Sequence, residues 1–88
     1  MQTTSKTPMQ EVESLIRSHL DDAHVEVSDL TGTMDHLNIF VASNAFKGKM
    51  LIDQHQMIMD ILKEELKEKI HAVKIKTMTK EKFENQNS

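Results

Sequence analysis

The sequence predicts a small α+β domain: a helix, two strands, a second helix and a third strand, with a short helix to finish. Three observations predict it. Apolar residues recur at helical spacing from Val12 to Leu20 and again from Leu51 to Leu66. Alternation with a period of two marks His24 to Asp29, His36 to Ala42 and His71 to Thr77, and polar connections bearing glycine or aspartate separate these runs. Three such strands form one sheet with the helices on one face, leaving the other face to solvent or a partner.

Each element has its own justification. Residues 1–6 are polar and read as a disordered N-terminal segment, and the domain occupies residues 7–83. Thr7 is a candidate N-cap, Pro8 suits the first helical position, and Glu11 and Glu13 suit the positive end of the helix. Val12, Leu15, Ile16, His19 and Leu20 make the inward stripe, with His19 a partly buried packing residue, while Glu13, Arg17 and Asp21 face water. Asp21 and Asp22 end this helix. The two strands that follow form a hairpin across Thr31-Gly32-Thr33-Met34-Asp35, and Leu37, Ile39 and Val41 share one side of the second strand. After a turn-rich connection, Leu51, Ile52, His55, Ile58, Ile61, Leu62 and Leu66 mark one long amphipathic helix, whose mixed charges read as a solvated face. In the last strand Val73 and Ile75 face inward, and Lys74 and Lys76 outward. Thr79 to Phe83 reads as a short capped helix and residues 84–88 as a polar tail.

Composition excludes several functions. A chain of 88 residues is one domain with a modest core. It has no cysteine, so neither a disulfide nor a thiolate metal site can be built from it alone, and soft-metal chemistry needs sulfur from a partner. A net charge of −3 argues against a strongly basic nucleic-acid footprint. The apolar runs are too short to span a bilayer and Met1 to Met9 lacks the apolar core of a secretory signal, so a cytoplasmic protein with no membrane partner is expected. There is no cysteine nucleophile, no Gly-x-Ser-x-Gly elbow, no P-loop and no His-Glu-x-x-His helix, so no enzyme is expected.

Three motifs remain: the turn Phe46-Lys47-Gly48-Lys49, His55 within the helical pattern, and the strand entry Ile70-His71-Ala72-Val73. Taken alone, His71 reads as a strand-start histidine with a structural hydrogen bond. In this order and spacing, however, the motifs resemble those of the BolA family, whose signature is a Phe-x-Gly turn, an Arg-His-Arg-like helix segment and an Ile-His-Ala strand entry. The resemblance extends from the first helix to Phe83. It implies an αββαβ domain related to type II KH modules, with an extra short helical turn just after the Phe-x-Gly loop.

It also implies a role. In the family, the histidine matched by His71 is a ligand to a two-iron, two-sulfur (2Fe-2S) cluster shared with a monothiol glutaredoxin and its glutathione. Imidazole in place of thiolate leaves such a cluster less negatively charged and raises its potential. The family's second ligand comes from the loop between the first two strands. Here that loop has no cysteine, Met34 suits packing better than ligation, and His36 is the nearest candidate. His36 lies opposite the Leu37, Ile39 and Val41 side, and both a ligand and an ordinary solvent-facing residue fit that position. His55 is flanked by Gln54 and Gln56, where the family has arginines, and reads as a buried structural histidine.

The Phe46-Lys47-Gly48-Lys49 turn falls where a KH module carries its Gly-x-x-Gly clamp, but with a single glycine. It reads equally as a tight turn anchored by Phe46. Together with Lys74 and Lys76 it is the candidate surface for a partner or nucleic acid. The resemblance therefore implies a glutaredoxin-binding, cluster-handling protein of iron homeostasis, monomeric or weakly dimeric and without a cluster when alone. The alternatives are a KH-like, DNA-binding regulator of stress response or cell morphology, and an adaptor that binds glutaredoxin without a cluster.

Overall fold

The computed structural model describes residues 8–30, 32, 36–68 and 72–86. The expected N-cap Thr7, the segment 1–6, Met34 and the Ile70-His71 strand entry lie outside the described residues.

Helix α1 runs over Pro8–His19. Val12, Ile16 and Leu20, four residues apart, put their side chains at one angular position, and all three are buried. His19 is one residue off that stripe and is exposed, against the packing role its spacing suggests; its Nδ1 lies 3.0 Å from the Leu15 carbonyl oxygen. Strands β1 (His24–Asp29) and β2 (His36–Ala42) pair antiparallel, with His24 opposite Ala42 and Asp29 opposite Leu37. The Leu30 N–H donates to the His36 carbonyl at 2.9 Å and closes the hairpin. Gly32 adopts φ +84°, and its N–H donates to the Asp29 carboxylate at 2.9 Å, a local aspartate turn that the left-handed backbone permits.

Strand β3 (Ala72–Met78) pairs parallel with β2, so β2 is central in the order β1-β2-β3. A parallel pair needs a crossover, and helices α2 (Leu51–Ile61) and α3 (Lys63–Glu68) supply it. These two replace the single long helix expected from the apolar spacing. The chain bends at Leu62 (φ −94°, ψ 9°), yet Leu62 still donates to Ile58 and accepts from Leu66 at 3.0 and 2.9 Å, so the hydrogen-bond ladder continues across the bend.

The core lies between α1, α2 and one face of the sheet. Leu37, Ile39 and Val41 of β2 and Ile58 and Leu62 of the crossover are wholly buried there with Val12 and Ile16. Leu51 and Ile52, expected on this stripe, are instead 62% and 73% exposed. Leu51 shares the angular position of Ile58, but it lies one turn beyond Gln54, whose bond to Thr77 marks the end of the sheet.

A fourth helix, α4 (Lys80–Gln86), lies against the opposite face and extends into the residues 84–88 read as a tail. Phe83 packs on Phe40 and stacks on His24, with ring centroids 5.6 and 4.4 Å apart. Ala42 and Met78, at the outward-facing ends of β2 and β3, are buried without joining the main core cluster. The face expected to be open is therefore closed at one end by α4. A single-turn 3-10 helix, η1 (Asn44–Phe46), precedes Gly48, whereas the family pattern places the extra turn after the loop.

Candidate functional site

The expected site residues fall in two places, at opposite ends of β2. Seven residues of strand separate them by about 20 Å.

The first place is where β2 and β3 begin. His36 opens β2 half-buried, while its neighbour Leu37 is wholly buried; alternation therefore turns His36 to the face opposite the core, as its parity in the sequence predicts. His36 pairs in register with Ala72. His71, the residue before Ala72, lies outside the described residues. Next along the same face come Asn38 opposite Lys74 and Phe40 opposite Lys76, both lysines exposed. Among the described residues no cluster of three or more histidine, cysteine, aspartate or glutamate side chains is arranged to hold a metal ion. With no cysteine in the chain, this end offers imidazole nitrogen as its soft-metal donor and no thiolate. Such a donor set does not fit a resident iron-sulfur cluster, which needs four protein ligands, mostly thiolates. It fits one side of a cluster whose sulfur ligands belong to another molecule.

The second place is the loop from Phe46 to Lys49. Phe46 is wholly buried, so its ring anchors the loop and has no surface to offer a partner. Lys47, Gly48 and Lys49 are exposed, and Gly48 adopts φ +78°, the left-handed conformation that the turn requires. Gln54, one of the two glutamines beside His55, holds the loop from below. Its Nε2 donates to the Lys49 carbonyl at 2.9 Å and more weakly to that of Phe46 at 3.4 Å, while its Oε1 accepts from the Thr77 hydroxyl at 2.7 Å. Gln54 is 6% exposed and Thr77 5%, so loop, helix and strand are tied by one buried amide. The sequence carried a signal for it: Gln54 is a polar residue four and eight positions before Ile58 and Leu62, on the inward stripe. His55 itself is half-buried and outside the core cluster, less enclosed than its spacing predicts.

A third cluster, absent from the sequence reading, braces the far end of this connection. Asp22 accepts from the Ser43 hydroxyl and from the Asn44 backbone N–H, both at 2.7 Å, and its own carbonyl accepts from Lys80 Nζ at 2.9 Å. The Asn44 N–H, then the Ser43 hydroxyl, hold the Asp22 carboxyl below its ordinary value of 3.8, against partial burial, which raises it. Asp22 therefore fastens η1 and α4 as well as ending α1. Its partners are 21 and more residues away, which no local pattern reveals. Likewise His24, given no role by its motif context, bridges Glu26 at 2.7 Å and stacks on Phe83.

Comparison with known proteins places this geometry. The pattern of the BolA family, described as BolA-like protein, matches residues 4–82. Protein BOLA2 of Arabidopsis thaliana is 40% identical over 68 residues, covering 76% of this chain and 72% of the relative. The DNA-binding transcriptional regulator BolA of Escherichia coli is 28% identical over 80 residues, covering 83% and 76% respectively. Among solved structures, the BolA domain of SufE1 from Arabidopsis thaliana superposes with a TM-score of 0.80 at 28% identity, over 90% of this chain and 99% of that one. With the helix–hairpin–helix–strand order, the Phe46-x-Gly48 turn and the parallel β2–β3 pair all in place, the chain belongs to the BolA family.

Proposed function

We propose that this chain binds a monothiol glutaredoxin and shares a 2Fe-2S cluster with it, His71 being the principal ligand from this side and His36 the second. The observation that carries the reading is the β2–β3 register. His36 pairs with Ala72, the residue that follows His71 in the chain, and adjacent strands lie about 4.8 Å apart, so position 71 falls at the same end of the sheet as His36, while alternation gives Ala72 the face that His36 occupies. The outward parity of His36 gives its imidazole the solvent side of the sheet. The missing thiolates support sharing over residence: the glutaredoxin cysteine and glutathione supply sulfur, and this chain supplies nitrogen. Lys74, exposed on the same face, suits the negative charge of such a cluster and of glutathione.

Anaerobic titration of the chain into cluster-loaded glutaredoxin, followed by absorption and circular dichroism, tests this. The expected result is a 1:1 heterodimer with a changed visible spectrum, lost in His71→Ala and weakened in His36→Ala. An unchanged spectrum in His71→Ala overturns the ligand assignment.

A second reading has its own support in the relative named as a DNA-binding transcriptional regulator and in the exposed Lys47, Lys49, Lys74 and Lys76. These lysines sit on two separate surfaces of a chain with net charge −3, so phosphate contacts are few. DNA affinity that falls steeply between 50 and 200 mM salt favours this reading; a complex governed by glutathione and iron favours the first.

A further inference from the structure

Residues 47–53 are exposed without a break, the longest such run among the described residues. Seven consecutive exposed residues cannot lie flat on a core, so this segment is a promontory, anchored at its two ends by buried Phe46 and Gln54. The Gln54 amide, bonded to the Lys49 carbonyl and to Thr77, keeps it rigid. Its tip is apolar: Met50, Leu51 and Ile52 are 72%, 62% and 73% exposed. Lys47 and Lys49 precede them, Asp53, the one acid in the run, follows, and the first turn of α2 adds its positive end, with no side-chain cap on Met50.

We propose that this promontory is a peripheral membrane contact, inserting Met50, Leu51 and Ile52 end-on into the interface of an anionic lipid surface while Lys47 and Lys49 meet the headgroups. This concerns lying on a bilayer; among the described residues no helix is long and apolar enough to cross one. Charge and shape choose the occupant. The two lysines complement acidic headgroups although the whole chain is acidic. A convex tip of three side chains falls far short of the ~800 Å² per partner of a standard protein interface, whereas a lipid surface deforms around it. Apolar exposure along α2 is interrupted, since Gln56 and Asp60 follow Ile52 at the next two turns and Met59, 38% exposed, is the one large apolar side chain exposed beyond them on this helix, short of the continuous stripe a groove-bound helix requires. The tip adjoins the Val41–Ala42 end of β2, about 20 Å from His36, so lipid and a partner at the other end can be held together. The inference stands independently of the cluster reading.

Flotation of the full chain with vesicles of phosphatidylcholine containing 30% phosphatidylserine, against phosphatidylcholine alone, is the test. Expected are binding to the anionic vesicles only, loss of about fivefold in affinity for each of Lys47→Gln and Lys49→Gln, and loss of more than tenfold in Leu51→Ser/Ile52→Ser. Circular dichroism of these surface variants should match the parent. Equal flotation with both vesicle types, no flotation at millimolar lipid, or flotation unaffected by the double serine variant overturns the proposal. So does a concentration-dependent dimer abolished by the serine variant in the absence of lipid binding, which assigns the tip to a second copy.

Discussion

Gln54 is the side chain on which the Phe46–Lys49 loop depends, and its replacement by leucine isolates that dependence. Leucine conserves volume approximately, so the change is in polarity. Three bonds are lost. The Phe46 carbonyl retains a donor, the Lys49 N–H at 3.1 Å, and the carbonyl of exposed Lys49 can turn to water. The Thr77 hydroxyl is 5% exposed and loses the acceptor held at 2.7 Å, so the penalty concentrates there. An orphaned buried hydroxyl costs about 1–3 kcal/mol, and the lost Lys49 bond adds about 1 kcal/mol, giving about 2–4 kcal/mol in total. For a domain of this size that is a fall of about 10–25 °C in Tm. Urea denaturation of Gln54→Leu, Thr77→Val and the double variant separates the terms. The double variant removes donor and acceptor together, so it should be more stable than the sum of the single effects by about 1–2 kcal/mol. Amide exchange should quicken at Lys47 to Met50 in Gln54→Leu. A single-variant loss below about 0.5 kcal/mol, or strict additivity of the cycle, refutes the reasoning.

Two further outcomes follow from the braces around this loop. Because the Asp22 carboxyl is held below 3.8 in the folded chain, its contribution is full above the unfolded value and disappears as pH falls through the folded one. Asp22→Asn should therefore be about 1–2 kcal/mol less stable than the parent at pH 7, with the gap narrowing as pH falls below 3.8 and through the lowered folded value in denaturant titrations; a gap independent of pH contradicts this. Phe83→Ala removes the ring that stacks on His24 and packs tilted against Phe40 and should cost about 1–3 kcal/mol, with amide protection lost over α4 while the core strands keep theirs.

Local pattern carried the sequence reading a long way. Both hairpin strands begin and end where alternation places them, because a one-residue slip would turn Leu37, Ile39 and Val41 out of the core. The outward parity of His36 follows from the same constraint. Where the reading fell short, the deciding contact was distant in the chain. Periodicity marks Leu51 as inward, but only the position of Thr77 under Gln54 shows that the sheet has already ended. The bracing by Asp22 requires Ser43, Asn44 and Lys80 to meet, and no spacing in the sequence encodes that meeting. Phe83 reads as the end of a short turn, yet its ring settles α4 on the second face of the sheet because Phe40 and His24 project there together. The lysines drawn together in the sequence as one candidate region prove to lie on different elements, Lys74 and Lys76 on the sheet face opposite Asn38 and Phe40, and Lys47 and Lys49 in the loop that follows the Ala42 end of β2.

Nitrogen ligation of a shared cluster is the central claim, and pulsed electron paramagnetic resonance of the reduced cluster reports it directly. The chain, labelled with nitrogen-15 histidine, is mixed with unlabelled cluster-loaded glutaredoxin and reduced under anaerobic conditions. The account predicts a strong imidazole hyperfine coupling that changes with the isotope, loses its main component in His71→Ala and disappears when His36 is replaced as well. A spectrum indifferent to the label, with coupling only from weakly interacting nitrogens, contradicts it.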